Sequence, residues 1–140
     1  MPELPEVETV KSGLVKAWTG KTIAKVILRR ENLRYPFPEN FAEELEGQTI
    51  TDIRRRAKYL LIDTDGDLVF LSHLGMSGKY TIFDAEQVSQ YDLSGPDNKS
   101  VFGEKTGFEG RHDHMEIRFT DGSISVYTDP RRFGIVKLFH

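Results

Sequence analysis

A proline and two glutamates at the amino terminus are the first residues that could do chemistry. The chain begins Met1-Pro2-Glu3, and processing enzymes usually remove an initiator methionine that precedes a small residue. Pro2 would then carry a secondary amine with a pKa of about 8, which attacks aldehydes and forms a charged iminium. Glu3 and Glu6 could act as general acid or base beside it. Alternatively, the proline is incidental and the glutamates only stabilise the positive end of a helix.

A run of basic residues, RRRAKYLLI at 54–62, is the second candidate group. On a strand, Arg54, Arg56 and Lys58 would point to one face, because successive side chains alternate. Three like charges on one face repel one another unless an anion such as a phosphate lies there. The alternative is a solvated edge strand, where basic residues prevent pairing with other chains.

A glycine-rich string and a histidine pair offer two further candidates. HLGMSG at 73–78 follows an apolar run and presents Met76 in a turn. An exposed apolar tip can act as a wedge between stacked bases, although a methionine more often folds back into the core. RHDH at 111–114 places two histidines on one strand face, but no third or fourth ligand lies nearby in the sequence. We therefore predict no metal site and expect His112 to donate to a phosphate or to be exposed.

The string DPRRFG at 129–134 combines two guanidinium groups with an aromatic ring. Its proline forces a turn, which would present Arg131, Arg132 and Phe133 together. These side chains suit phosphate contact combined with base stacking or wedging. The alternative is an ordinary turn whose phenylalanine is buried.

The elements that must position these residues are predominantly strands. Apolar residues at helical spacing predict a helix at 5–18, and a second short helix is predicted at 38–47. The Asp-Gly pairs at 65–66 and 121–122 are strong hairpin signals. Strands are predicted at 22–30, 49–55, 57–63, 67–72, 78–83, 113–120, 123–128 and 133–139. The fold class expected is mostly β with two α-helices, an antiparallel β-sandwich flanked by helices.

Composition and charge narrow the class of protein. The 140 residues include no cysteine, which excludes disulfide scaffolds, thiol nucleophiles and cysteine-ligated metal sites in this chain. No apolar run approaches the ~20 residues of a membrane span, and the amino terminus lacks the pattern of a secretory signal. The net charge is −3, but residues 83–110 contain six acids and two bases, a net of −4, so the rest carries +1. We interpret 84–110 as a long acidic surface loop.

Four strings in this order resemble one family. MPELPEVETV, RRRAKYLLI, HLGMSG and DPRRFG look like the amino-terminal domain of bacterial formamidopyrimidine-DNA glycosylases. The resemblance covers the chain except the 84–110 loop, and Leu4 favours this branch over the endonuclease VIII branch, which usually has glycine there. It implies a bifunctional DNA glycosylase and AP lyase that flips an oxidised purine, 8-oxoguanine or formamidopyrimidine, out of the duplex.

By the same resemblance, four residues would be catalytic. Pro2 would be the Schiff-base nucleophile at C1′ of the deoxyribose, and Glu3 would move protons around the sugar. Glu6 would order the site at the helix start. Lys58 would contact phosphate and donate a proton in the lyase steps.

The resemblance also implies a DNA-binding set. Met76, Arg131 and Phe133 would fill the gap left by the flipped base and wedge the opposite strand. His112, Arg131 and Arg132 would hold the DNA, Arg132 mainly through phosphate. His73 completes the DNA-binding set.

Family members continue with a helix–two-turn–helix domain and a zinc finger. The chain ends on the apolar strand FGIVKLFH, so we expect it to be part of a longer protein and the zinc to lie outside it. We expect no cofactor in this chain, damaged double-stranded DNA as partner, no membrane, a monomer, and a bacterial cytoplasmic location. Two competing hypotheses are an endonuclease VIII-like enzyme for oxidised pyrimidines and a non-catalytic binding module.

Overall fold

A computed structural model of the chain describes residues 4–29, 33, 35–96, 100–102, 113–132 and 134–140. In these residues three helices and eight strands follow one another, and none of the helices is long and apolar enough to cross a membrane. In chain order they are α1 (Leu4–Trp18), β1 (Ile23–Leu28), α2 (Phe41–Leu45), β2 (Ile50–Arg56), β3 (Tyr59–Thr64), β4 (Val69–His73), β5 (Lys79–Phe83), α3 (Ala85–Val88), β6 (Asp113–Phe119), β7 (Ile124–Thr128) and β8 (Ile135–Phe139).

The strands form two antiparallel four-stranded sheets. One has the order β1-β6-β7-β5 and the other β2-β3-β4-β8. Both Asp-Gly pairs lie in hairpin connections, and Gly122 has a φ of +91°, a conformation that glycine adopts without steric cost. An isolated bridge between Thr22 and Thr49 joins the two sheets where β1 and β2 begin. The predicted β-sandwich with flanking helices is therefore confirmed.

Helix α1 packs through the apolar stripe that its sequence predicts. Val7, Leu14 and Trp18 are buried, and the charged residues of the helix, Glu6, Glu8, Lys11 and Lys16, lie outside this stripe. The Trp18 indole N–H donates to Ser125 Oγ at 2.8 Å, and its ring meets Tyr80 edge-on at 5.1 Å. These contacts attach the helix to the β5–β7 pair at its carboxyl end.

The main core is filled by aliphatic and aromatic side chains from both sheets, α1 and α2. Its largest fully buried members include Trp18, Tyr127, Phe41, Phe70, Leu60 and Ile62. Alternating strand residues supply this core, as in the buried pattern of β3.

The acidic segment differs from the predicted surface loop. It begins with the one-turn helix α3, capped by Asp84, whose carboxylate accepts from the Gln87 N–H at 2.8 Å. Further on, Phe102 is fully buried and packs 4.7 Å from both Phe83 and Tyr91, measured between ring centroids. This part of the segment thus forms a second small hydrophobic cluster on β5 and β7, which the acidic composition gave no reason to expect.

Candidate functional site

The basic run 54–62 forms a hairpin rather than one continuous strand. Strand β2 ends at Arg56, which pairs with Tyr59, so Ala57 and Lys58 alone make the connection to β3. Ala57 has a φ of +52°, a left-handed conformation that is uncommon outside glycine. The prediction that Lys58 shares a strand face with Arg54 and Arg56 is therefore wrong. Lys58 lies instead at the tip of the hairpin.

Two of the four basic side chains in this run have carboxylate partners. Arg54 donates two hydrogen bonds to Asp63, at 2.7 and 2.8 Å, and these bonds raise its pKa. Arg55 donates from Nε to Glu8 at 2.6 Å and from Nη1 to the Ala57 carbonyl at 2.9 Å. The repulsion expected within this run is thus relieved in part without an added anion.

The pair between Arg55 and Glu8 has a positional consequence. It joins the amino-terminal half of α1 to the strand that leads to Lys58. The hydrogen bond from Arg55 lowers the pKa of Glu8. Neither Arg56 nor Lys58 forms an ion pair with any residue that the structure describes. Their charges therefore remain available at the hairpin that α1 contacts.

The turn after β4 exposes Met76. Half of the Met76 surface is accessible, whereas Leu74 and Gly75 on its amino-terminal side are buried. Gly75 has a φ of +65° and donates its N–H to Nδ1 of His73 at 3.0 Å. The interpretation in which Met76 folds into the core is therefore wrong.

His73 lies beneath this turn rather than on the surface. Only 8% of its surface is accessible, and its ring packs edge-on against Tyr59 at 4.7 Å. Because Nδ1 accepts the Gly75 N–H, that nitrogen carries no proton. The geometry gives His73 a supporting role for the turn, and its contact with DNA stays a prediction.

The turn after β7 places Arg131 beside Met76. Arg131 and Arg132 are both exposed, and Arg131 Nη1 lies 3.7 Å from the Met76 sulfur. The Arg131 N–H donates to Ser77 Oγ at 3.2 Å. Arg132 has a φ of +55°, a strained conformation for a long side chain. Two turns far apart in sequence thus present an apolar tip and a guanidinium group side by side.

A buried carboxylate holds these two turns together. Asp129 is fully inaccessible, and its Oδ1 accepts from the Ser77 hydroxyl at 2.7 Å. Its Oδ2 accepts from the Tyr127 hydroxyl at 3.1 Å and from the Gly134 N–H at 2.8 Å. His114 Nε2 donates to the Asp129 carbonyl at 2.7 Å. We call Asp129, Tyr127 and Ser77 the aspartate junction.

Glycines allow the chain to approach the aspartate junction closely. A Cβ on Gly134 would lie 2.0 Å from the Tyr127 hydroxyl oxygen and 2.8 Å from Asp129 Oδ2. A Cβ on Gly78 would lie 2.3 Å from the same hydroxyl oxygen and 2.4 Å from the Leu74 carbonyl oxygen. Burial and the neighbouring carboxylate raise the pKa of Tyr127 far above its ordinary value. The junction is therefore dry and leaves no room for larger residues at these two positions.

The start of the acidic segment, Asp84 and helix α3, lies away from these turns. On the β5–β7 pair, Lys79 and Thr128 are partners at one end, next to the two turns, and Phe83 and Ile124 are partners at the other. Four residue steps along β5 correspond to about 13 Å. Asp84 and helix α3 follow Phe83, so this negative charge lies at the far end of the pair.

Several candidate residues lie outside the described part of the chain: Pro2, Glu3, His112 and Phe133. Glu6 lies exposed in the first turn of α1, which begins at Leu4. His114, the second histidine of RHDH, is fully buried. The described residues contain no group of three or more histidine, cysteine, aspartate or glutamate side chains that could hold a metal ion.

Sequence reasoning missed the residues that position the candidates. The aspartate of DPRRFG and the serine of HLGMSG belong to the candidate strings, but only the charged and apolar side chains of these strings indicated a function. The partnership of Arg55 with Glu8 had no sequence signal, because the two lie 47 residues apart.

Comparisons with known proteins agree on one family. The family model for the formamidopyrimidine-DNA glycosylase N-terminal domain matches residues 1–136. The formamidopyrimidine-DNA glycosylases of Methylorubrum extorquens and Sinorhizobium fredii are 44% and 45% identical to the chain over 143 and 141 residues, 99% of the chain in each case. The chain spans 44% and 45% of the lengths of these two relatives.

Solved structures agree with this result. A crystal structure of the Lactococcus lactis enzyme with DNA containing an abasic site superposes with a TM-score of 0.74 at 33% identity, covering 99% of this chain and 44% of that one. A complex of the same enzyme with DNA containing a formamidopyrimidine lesion gives 0.73, again at 33% identity, covering 98% and 44%. The resemblance drawn from the four sequence strings is confirmed, and the chain belongs to the family of formamidopyrimidine-DNA glycosylase N-terminal domains.

Proposed function

We propose that this chain carries the chemistry of a base-excision DNA repair enzyme, a bifunctional DNA glycosylase and AP lyase for oxidised purines in double-stranded DNA. The observation that carries the proposal is the pair of exposed side chains Met76 and Arg131. The Met76 sulfur and Arg131 Nη1 lie 3.7 Å apart, on two turns that the aspartate junction holds together. An enzyme that extrudes a base must fill the gap it leaves, and an apolar wedge beside a cation suits that task. The family match makes DNA the substrate to test.

The amino-terminal amine supplies the covalent step in this proposal. After removal of Met1, the Pro2 nitrogen attacks C1′ of the flipped nucleotide. The C1′–N9 bond breaks, and the base leaves with that electron pair and takes up a proton. The Pro2 nitrogen loses its proton, and the C1′–O4′ bond then breaks, with its electron pair going to O4′, which is protonated. The product is an open-chain iminium at C1′. Because the iminium withdraws electrons, a C2′ proton is lost and the C3′–O bond breaks, which releases the 3′ phosphate. Glu3 and Lys58 are the proton carriers that the family motif assigns.

The location of Lys58 supports this assignment. Lys58 lies at the hairpin tip, three residues beyond Arg55, and Arg55 is bonded to Glu8 in α1. The first described residue of that helix is Leu4, directly after residues 1–3 of the sequence. The Arg55–Glu8 pair therefore holds the hairpin against the amino-terminal half of α1, the half that follows the proposed nucleophile in the sequence.

The proposal concerns a protein longer than this chain. Relatives are more than twice as long, and a net charge of −3 is unusual for a complete DNA-binding surface. We propose that the remaining part supplies most of the phosphate contacts and a zinc site, and that the protein acts on chromosomal DNA in the bacterial cytoplasm. Alone, the chain should bind DNA weakly, because each lost phosphate contact lowers affinity.

Borohydride trapping tests the covalent step. The chain is incubated at low salt with a duplex containing an abasic site, and borohydride reduces the iminium to a stable amine that migrates as a protein–DNA band. We expect a band from the processed chain and none from a chain whose Pro2 nitrogen is blocked by a retained Met1. Pro2→Gly keeps a primary amine, so it should give a weaker band. Equal bands from the blocked and free forms would refute the role of Pro2.

Adding a carboxyl-terminal half distinguishes a loss of DNA affinity from a loss of the covalent chemistry. If the chain alone gives no band, the carboxyl-terminal half of a close relative is added in trans. A band that appears only then, and still depends on a free Pro2, supports the proposal. No band under either condition would favour a non-catalytic binding module. Duplexes with 8-oxoguanine or an oxidised pyrimidine, compared in the assembled protein, test the preference for purines.

A further inference from the structure

We infer that Met76 is a site of reversible oxidation by peroxides, at which conversion to the sulfoxide lowers the affinity of this protein for DNA. The inference rests on the proposed function for its consequence, but the modification itself does not depend on it. Its basis is the exposure of the Met76 sulfur and its contact with Arg131.

The chain directs peroxide chemistry to methionine. It contains no cysteine, the residue that peroxides attack first in most proteins. Met76 is half exposed, whereas Met115 in β6 is fully buried within the main core. Met1 is removed in the form that the proposed function requires. The processed chain therefore has one accessible thioether among its described residues and one inaccessible thioether that serves as an internal standard.

The oxidation of the Met76 sulfur needs no other group of the protein. The Met76 sulfur uses a lone pair to attack one peroxide oxygen, and the O–O bond breaks. One oxygen stays on the sulfur, which is oxidised by two electrons, and the other leaves as water after proton uptake. Methionine sulfoxide reductases reverse the change with electrons from thiols.

Arg131 converts this oxidation into a change of surface. Its Nη1 lies 3.7 Å from the sulfur, and a thioether is only a weak acceptor for a guanidinium N–H. A sulfoxide oxygen is a strong acceptor, and one added bond length toward Arg131 brings it within hydrogen-bonding range. Arg131 forms no ion pair with the described residues, so no carboxylate among them competes for it.

The sulfoxide should impair both tips at once. The Met76 tip becomes polar, and stacking it between bases then requires removing water from the new oxygen. The Arg131 guanidinium is held against this oxygen instead of remaining free for phosphate or base contact. Ser77 and Asp129 hold the two turns together, so the sulfoxide forms beside Arg131.

Peptide mapping tests the site. The chain is exposed to dilute hydrogen peroxide under native conditions and in urea, and sulfoxide is measured at Met76 and Met115 over time. We expect Met76 to react about tenfold faster than Met115 or more in the native protein, and at a similar rate in urea, where access is equal. Similar rates in the native protein would overturn the inference.

DNA binding tests the consequence. Fluorescence anisotropy with an abasic duplex is measured before peroxide, after it, and after treatment with methionine sulfoxide reductases. We expect a several-fold loss of affinity that the reductases restore, the same response in Met115→Leu, and no response in Met76→Leu. Selective oxidation of Met76 without a change in affinity would overturn the inference but not the proposed function. Absence of binding by the untreated protein, with the carboxyl-terminal half supplied, would instead overturn the proposed function.

Discussion

Replacement of Asp129 should distinguish a structural network from a simple buried charge. In Asp129→Asn, the amide oxygen must take the Oδ2 position, because the Gly134 N–H can only donate. The amide NH₂ then faces Ser77, whose hydroxyl can accept. All three contacts persist, and the variant loses mainly the charge assistance of two bonds. We expect the free energy of unfolding to fall by about 1–2 kcal/mol.

Asp129→Ala should cost considerably more. It leaves the Gly134 N–H and the Tyr127 hydroxyl buried without their acceptor, at about 1–3 kcal/mol each. Part of this loss of stability is offset, because the alanine variant no longer has to bury and desolvate a carboxylate. We therefore expect a loss of about 4 kcal/mol, a large fraction of the stability of a small domain.

Urea denaturation at neutral pH measures both values, with the fluorescence of Trp18 as the probe. Ser77→Ala should cost about 1 kcal/mol, because it removes one donor and leaves the other two contacts intact. Glu39→Gln, which removes an exposed charge, is the control and should have no measurable effect. Equal losses for the alanine and asparagine variants, or an alanine variant as stable as the parent, would refute the reasoning.

Three further predictions concern other contacts. Because the Arg55 hydrogen bond lowers the pKa of Glu8, this pair stabilises the fold above the ordinary glutamate pKa, and the stabilisation is lost as the pH falls through the lowered value. The protection factors of the α1 amides, corrected for intrinsic exchange at each pH, should therefore fall on acidification in the parent but not in Glu8→Gln. Burial raises the pKa values of Tyr80 and Tyr127, so an alkaline absorbance titration should show two phenols that ionise well above the ordinary tyrosine pKa, one fewer in Tyr127→Phe; two late phenols in that variant would contradict the assignment. Phe102→Ala should destabilise the protein by about 3–5 kcal/mol in thermal or urea unfolding, whereas a merely solvated loop would predict no change.

Local patterns predicted most of the fold. Alternating apolar residues and Asp-Gly pairs located the eight strands, because strand periodicity and hairpin turns are properties of neighbouring residues. The helix at 5–18 followed from its apolar stripe. The sequence does not predict the two-residue turn at Ala57 and Lys58, because neither residue is typical of a tight turn. The burial of Phe102 was hidden by the acidic residues around it.

The candidate site was predictable only in its exposed members. Met76, Arg131 and Lys58 were named from residue type, and the structure places all three at the tips of turns. Their supports were not named, because a buried acceptor such as Asp129 depends on donors from distant strands. The functional roles of all the candidate residues remain predictions, and residues 2, 3, 112 and 133 lie outside the described part of the chain.

The left-handed residues in two of the turns have a consequence for engineering. Ala57 and Arg132 both adopt positive φ angles, which cost about 1–2 kcal/mol for a residue with a Cβ and nothing for glycine. A screen that rewards heat resistance alone should therefore enrich glycine at both positions. At Ala57 this change removes only a methyl group, but at Arg132 it also deletes an exposed cation. A screen that also requires DNA binding should therefore accept glycine at position 57 and reject it at position 132.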